Sequence, residues 1–280
     1  MSGSSLDGEA TIIVLDHLNG SGARGFVTTR HGGVSEGPYA SLNLGLHVGD
    51  DDEAVIENRR RVAACAEVGL DDLVFMDQVH GTRVAVVGDA ERGRGAQVIE
   101  HALTGTDAVV TTTAELRLCV MVADCAPVVL VDQDAGVLGL AHAGWRGLVA
   151  GVLPATVRAM VGLGAQIERL RCVIGPSIDL ERFEVGEDVA EQFRTLFGSS
   201  SSRIIHERSP RPHIDLSEAC VLSLEAAGVR ASEITASAVR TDDVRLFSDR
   251  SARPCGRFGV VAWLEGPEPG DRQAVASGDP

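Results

Sequence analysis

DAVVTTTAELRLCVMVADCAPVVLVDQDAGVLGLA, residues 107–141, decides the fold class. Apolar runs at 108–111, 118–123, 128–131 and 137–141 follow one another with only turn residues between them. No gap is long enough for a crossover helix, so strict β-α-β alternation fails and neighbouring strands must pair in mixed or antiparallel fashion. The expected class is therefore α+β, layered, with mixed sheets, rather than a doubly wound parallel sheet. Working outward, further strands are predicted at 11–15, 25–29, 73–76 and 84–87, and beyond the segment at 170–174, 234–239 and 258–264. Helices are predicted at 52–68, 148–161, 188–197 and 217–227. The first has Asp50 and Glu53 spaced as a capping box and Gly69 as its stop, and the last ends on Gly228. The serine run 199–202 reads as a loop, and no internal repeat is convincing. With no linker in the middle of 280 residues, one domain is expected over 23–265. Residues 1–22 form a partly flexible lead-in, the first ten being small and polar, and 266–280 a flexible tail, 265–280 having no apolar period.

Composition narrows the function. The formal charge is −15, and all 25 basic residues are arginine, lysine being absent. A chain so acidic, without a basic face, is not expected to bind nucleic acid. The lack of lysine excludes Walker-type NTPases, Schiff-base enzymes and lysine-dependent kinases, whose chemistry needs an amine at a fixed place. No apolar run approaches the length of a membrane helix, and the N-terminus lacks a basic start and apolar stretch, so a cytoplasmic protein without membrane partners is expected. The six cysteines, at 65, 119, 125, 172, 220 and 255, lie far apart in apolar or helical runs and are expected as reduced thiols.

Four segments carry candidate chemistry. At 141–147, AHAGWRG, an apolar strand ends in His142, Gly, Trp and Arg146 just before a helix, the place where α/β-type folds put sites. A core histidine beside a glycine turn reads the same way. At 122–127, VADCAP, a strand delivers Asp124 and Cys125 and stops at proline; the cysteine is a ligand, a nucleophile or a small buried hydrophobe. At 78–81, QVHG, His80 again closes a strand before glycine. Three strand ends thus offer His, Cys and His, a donor set suited to zinc with a fourth position free, although the spacings match no short metal motif. The glycine-rich stretch 29–50 carries Arg30, His31, Tyr39, Ser41, Asn43 and His47 without the spacing of a dinucleotide loop. It reads as a substrate-lining flap or as an ordinary surface loop.

Together these strings resemble the YfiH family, also labelled polyphenol oxidase or laccase-domain proteins, peptidoglycan editing factors and purine nucleoside phosphorylases. The resemblance rests on TRHGGVSEGPYASLNLGLHVGDDD (29–52), Glu57-Asn58-Arg59, QVHG, ADCAPV, HAGWRG, Ile174-Gly175-Pro176, Phe247-Ser248 and Gly256-Arg257, spread co-linearly from about Gly25 to Leu264. It implies an α/β/β/α layering, a catalytic role for the domain over 23–265, and a zinc ion on His80, Cys125 and His142, with copper as the alternative. It also implies phosphorolysis of adenosine, inosine and methylthioadenosine, with an adenosine deaminase activity beside it. For that chemistry Arg30 and Arg146 are candidate phosphate clamps, Asp124 a proton relay or ligand orienter, and Asn43 a partner for ribose or base. The chain departs from the family pattern at Ser177, Arg240-Thr241 and Asp249, which bears on substrate choice more than on metal. Three rivals stand beside this reading: a copper-dependent polyphenol oxidase, a Cys125–His142 hydrolase editing peptidoglycan precursors, and a non-catalytic binding module.

Overall fold

The structure, a computed structural model, describes residues 10–266; the fraying predicted for the extreme ends falls on 1–9 and 267–280, outside the described residues. Thirteen strands and five α-helices are found among the described residues. The strands are β1 (Ile12–Val14), β2 (Ala23–Thr28), β3 (Leu73–Phe75), β4 (Val84–Val86), β5 (Ala108–Thr111), β6 (Arg117–Val122), β7 (Ala126–Asp132), β8 (Val137–Ala143), β9 (Arg171–Ile174), β10 (Ile205–His206), β11 (His213–Ile214), β12 (Ile234–Ala236) and β13 (Phe258–Leu264). The helices are α1 (Asp52–Cys65), α2 (Trp145–Ala150), α3 (Val152–Gly162), α4 (Glu187–Phe197) and α5 (Leu216–Ala226).

Two mixed sheets dominate. One runs β1-β2-β13-β6-β3 and the other β12-β9-β7-β8-β5-β4, with β10 and β11 as a small separate hairpin. In the first sheet β13 is antiparallel to both neighbours while β3 lies parallel to β6. In the second, β7 and β8 pair antiparallel and β4 runs parallel to β5. Residue alternation shows the layering. Leu118, Val120, Val122, Val260 and Ala262 of the first sheet meet Val129, Val131, Leu138 and Leu140 of the second in one apolar layer. The opposite face of the first sheet, with Cys119, Met121 and Val261, packs on Val62, Ala63 and Ala66 at the α1 end. Val128, Leu130 and Ala141 face Leu153, Val157, Met160 and Cys220 of the other helices. The order is α/β/β/α, and strands buried on both faces explain why 107–141 reads as nearly continuous apolar runs.

Three local expectations are corrected. The N-cap of α1 is Asp51, whose carboxylate accepts from the Glu53 N–H, whereas Asp50 accepts from Asn43 instead. The helix stops before Gly69: Glu67 takes φ +56°, and the N–H groups of Glu67 and Val68 donate back to Ala64 and Ala63 in a Schellman closure. The single helix predicted at 148–161 is two, α2 and α3, divided at Gly151 with φ +96°. The β10–β11 hairpin was hidden in the sequence because each strand has only two residues.

Candidate metal centre

The chain changes sheets twice at the same edge of the molecule. It leaves β3 in the first sheet and enters β4 in the second through 76–83, and it leaves β6 in the first and enters β7 in the second through 123–125. His80 lies in the first crossing and Cys125 in the second, while His142 sits on β8 opposite Pro127 of β7. Because β3 and β6 are parallel, both crossings emerge from the same end of the first sheet. The donor atoms of His80, Cys125 and His142 all fall within 4.8 Å of one another. Cys125 Sγ is 3.7 Å from His80 Nε2, and the two imidazole rings meet edge to face at 4.8 Å between centroids. Tetrahedral zinc with ordinary Zn–N and Zn–S bonds separates its ligand atoms by roughly 3.3–3.6 Å. The donors therefore fit one ion with small side-chain adjustment.

Asp107, the first residue of the segment that decides the fold, organises both histidines. Its fully buried carboxylate accepts from the N–H groups of Val79, His80 and Gly81 at 3.2, 2.8 and 2.7 Å, and from His142 Nδ1 at 2.9 Å. Three successive N–H groups converging on a carboxylate hold His80 at φ +61°, a region few side chains occupy unaided. The bond to Nδ1 leaves Nε2 of His142 as the free ring nitrogen. Burial pushes the Asp107 carboxyl up, but the His142 and backbone hydrogen bonds outweigh it and hold the group below its ordinary value. Nothing in the sequence singled Asp107 out beyond an acid at the start of an apolar strand.

The glycines of the motifs answer to space. A methyl group on Gly144 would lie 2.6 Å from a His80 ring carbon and 2.9 Å from Cys125 Sγ, and one on Gly147 would lie 2.8 Å from the Gly81 carbonyl. Gln78 explains the rest of QVHG: its amide donates to the Met121 carbonyl at 2.7 Å and accepts from the Met121 N–H at 2.9 Å, zipping the turn to β6. Burial pushes the Cys125 thiol up, yet the charge and hydrogen bonds of His142 and His80 bring it down to about 6. Burial pushes His142 down, while Cys125 and Asp107 raise it to about 9. The pair leans towards thiolate and imidazolium, so an incoming cation meets a sulfur already ionised and displaces a proton from the ring.

The centre opens into a cleft of about 510 Å³ lined also by Trp145, Arg146, His47 and Arg250. Asp124 borders it at φ +91°, but its carboxylate accepts from the Thr241 and Ser248 hydroxyls at 2.5 and 2.7 Å and from the Arg250 N–H at 2.7 Å. It ties the 241–250 segment to the residue before Cys125. Arg30 and Asn43, expected to meet substrate, are not among the residues lining this cleft. Arg30 Nε donates to the Ala40 carbonyl at 2.9 Å and its guanidinium lies 4.7 Å over the Phe247 ring. Asn43 is fully buried, donating to Asp50 at 2.9 Å and accepting from the Arg257 N–H at 2.8 Å, so it braces the 29–50 stretch from within. Arg250, and Arg257 of the Gly256-Arg257 string, neither given a role by the sequence, take places in the wall because the segment carrying them folds back on Asp124.

Residues 24–265 match the family described as multi-copper polyphenol oxidoreductase laccase. A protein of Deinococcus radiodurans named purine nucleoside phosphorylase is 44% identical over 238 residues, which is 85% of this chain and 87% of that one. A protein of an unknown prokaryotic organism named adenosine deaminase RL5 is 38% identical over 232 residues, 82% of this chain and 88% of that one. The crystal structure of the Bacillus licheniformis hypothetical protein YfiH superposes with a TM-score of 0.87 at 31% identity, covering 94% of this chain and 99% of that chain. No helix among the described residues is long and apolar enough to cross a membrane.

Proposed function

Since this chain belongs to the laccase-like YfiH family, described as multi-copper polyphenol oxidoreductase laccase, we propose that it is a zinc-dependent purine nucleoside phosphorylase acting on adenosine, inosine and methylthioadenosine. The observation that carries this reading is the convergence of His80, Cys125 and His142 at the floor of a cleft walled by arginine. A His/His/Cys set with an open fourth position suits zinc, which when bound supplies Lewis acidity towards a ligand oxygen. In phosphorolysis a phosphate oxygen forms a bond to the anomeric carbon, the bond from that carbon to the purine nitrogen breaks, and the departing purine takes up a proton. The protein's task is to hold the anion against that carbon, and the planar fork of arginine is suited to it. Arg146 is the proposed clamp, and Asp124, through its three hydrogen bonds, sets the position of Cys125 and of the loop beside it.

Deamination is the second reading, favoured by the relative named adenosine deaminase RL5. There water adds to the amino-bearing purine carbon and ammonia leaves, with no phosphate consumed. All six cysteines are free thiols, which supports a reducing, cytoplasmic setting.

The test is to purify the protein without added metal, measure zinc and copper per chain, and follow inosine and adenosine with and without phosphate, alongside Cys125→Ala. About one zinc per chain with phosphate-dependent base release, lost in the variant, is expected. Ammonia release without phosphate would move deamination ahead. Stoichiometric copper with blue absorbance would revive the oxidase, and turnover surviving both chelation and loss of Cys125 would overturn the metal reading.

A further inference from the structure

Against an overall charge of −15, the cleft is bordered by Arg146, Arg250, Arg253 and Arg257 together with the carboxylates of Asp77, Asp124 and Asp249. Two of the arginines share one carboxylate: Asp249 pairs with Arg253 and lies 3.7 Å from Arg257. Arg257 also donates to the Cys255 and Gly256 carbonyls, each at 3.1 Å. Arg146 and Arg250 have no carboxylate partner among the described residues.

Arg250 is held by neutral acceptors. Its Nη1 donates to the carbonyls of Arg182 and Glu184 at 2.8 and 3.0 Å, and its guanidinium carbon lies 5.6 Å from the Phe183 ring centroid. Its backbone N–H is fastened to Asp124, the neighbour of Cys125. Carbonyls orient a guanidinium without cancelling its charge, and they occupy one nitrogen, leaving Nε and Nη2 as an unbonded edge of two parallel donors. Arg146 contributes differently, with its guanidinium 4.4 Å over the Trp145 ring and no hydrogen bond among the described residues. An ion pair of the surface kind, the ordinary fate of arginine, is absent at both positions among the described residues.

We propose that Arg250 and Arg146 form a subsite for a free tetrahedral oxyanion, inorganic phosphate, in the cleft of the donor cluster, with Arg250 as its pre-oriented member. Its place in catalysis rests on the phosphorylase reading, in which the anion is the co-substrate; binding of the anion does not. The same donors would accept the 5′-phosphate of a nucleotide, so the two sources are compared directly.

Inorganic phosphate is titrated by calorimetry into the full-length, zinc-loaded protein and into Arg250→Gln, Arg250→Lys and Arg146→Gln, each checked by thermal melting. A nucleoside monophosphate is titrated in parallel. Loss of two charge-assisted bonds should weaken phosphate at least about tenfold in Arg250→Gln. The apparent KM for phosphate should rise by the same factor with that for nucleoside unchanged, and Arg250→Lys should recover part of the loss through its charge without the fork. Phosphate binding equal in wild type and a folded Arg250→Gln, or no phosphate binding to wild type, would overturn the subsite, as would a nucleotide bound in place of phosphate. Phosphate held through Arg250 without any nucleoside phosphorolysis would leave the subsite standing and sink the phosphorylase reading instead.

Discussion

At the scale of single residues, Asp107 matters as much to the centre as the three donors. One carboxylate fixes the QVHG turn from three N–H groups and the His142 ring from the fourth direction, so the two histidines are set by a common reference. Asp107→Asn keeps the size but presents an amide donor to at least one of those N–H groups, or frees His142 to carry its proton on Nε2. Zinc affinity, read by competition with a chromophoric chelator, should fall by about 10–100-fold. Unchanged affinity in a folded variant would show that the histidines are oriented without it. The candidate donors were legible because His80 and His142 stand at the ends of apolar runs with glycine close behind and Cys125 at the end of one that stops at proline. Asp107 was not, because its partners lie 26 to 35 residues away and three of the four are backbone N–H groups, which carry no sequence mark.

Among the elements, the end of α1 is the clearest case of a local rule displaced by a neighbouring one. Gly69 is a fitting stop, yet the helix reverses at Glu67, a residue with a Cβ in the left-handed region. That conformation costs an L-residue roughly 1 kcal/mol or more. Glu67→Gly should therefore raise stability by about 0.5–1 kcal/mol, the gain being trimmed by the greater freedom of glycine in the unfolded chain. Chemical denaturation would read this as a higher midpoint at unchanged slope; a lower midpoint would mean that the Glu67 side chain contributes more than its backbone costs. Gly151 is the converse: an interruption the apolar pattern of 148–161 cannot reveal, since both α2 and α3 keep their apolar residues towards the same sheet. Strand boundaries fared better, because many of the runs are bounded by Gly, Pro or Asp.

For the whole molecule, charge is brought together by packing from distant segments, and His47 reports it. Burial, then Arg257 from just before β13 and Arg59 from α1, lower its pKa from 6.5 to about 4. In the unfolded chain the imidazole takes a proton near 6.5, and in the folded chain it resists until about 4. The unfolded state thus binds more protons between these values, so this group makes stability fall as pH drops through that window. Thermal melts from pH 7 to pH 4 should show the decline, and His47→Gln should flatten it. An unaltered slope in the variant would assign the decline to other groups, of which Asp107, depressed below its ordinary value, releases its contribution only at lower pH.

The amino-acid order alone sufficed for the mixed α+β class and for most strands, since these rest on apolar period and on punctuation within a few residues, and it offered His80, Cys125 and His142 as candidates that the fold brings within 4.8 Å of one another. Which sheet each strand joins was settled only in three dimensions. β5 and β7 lie in one sheet and β6 between them in the other, a choice made by which faces can be buried together rather than by any local preference. The same packing drew Arg250 and Arg257 to the cleft and gave Arg30 and Asn43 partners within the 29–50 stretch. Arginine and asparagine look alike in a motif whether they reach a ligand or a backbone carbonyl, and only the surrounding fold supplies the partner.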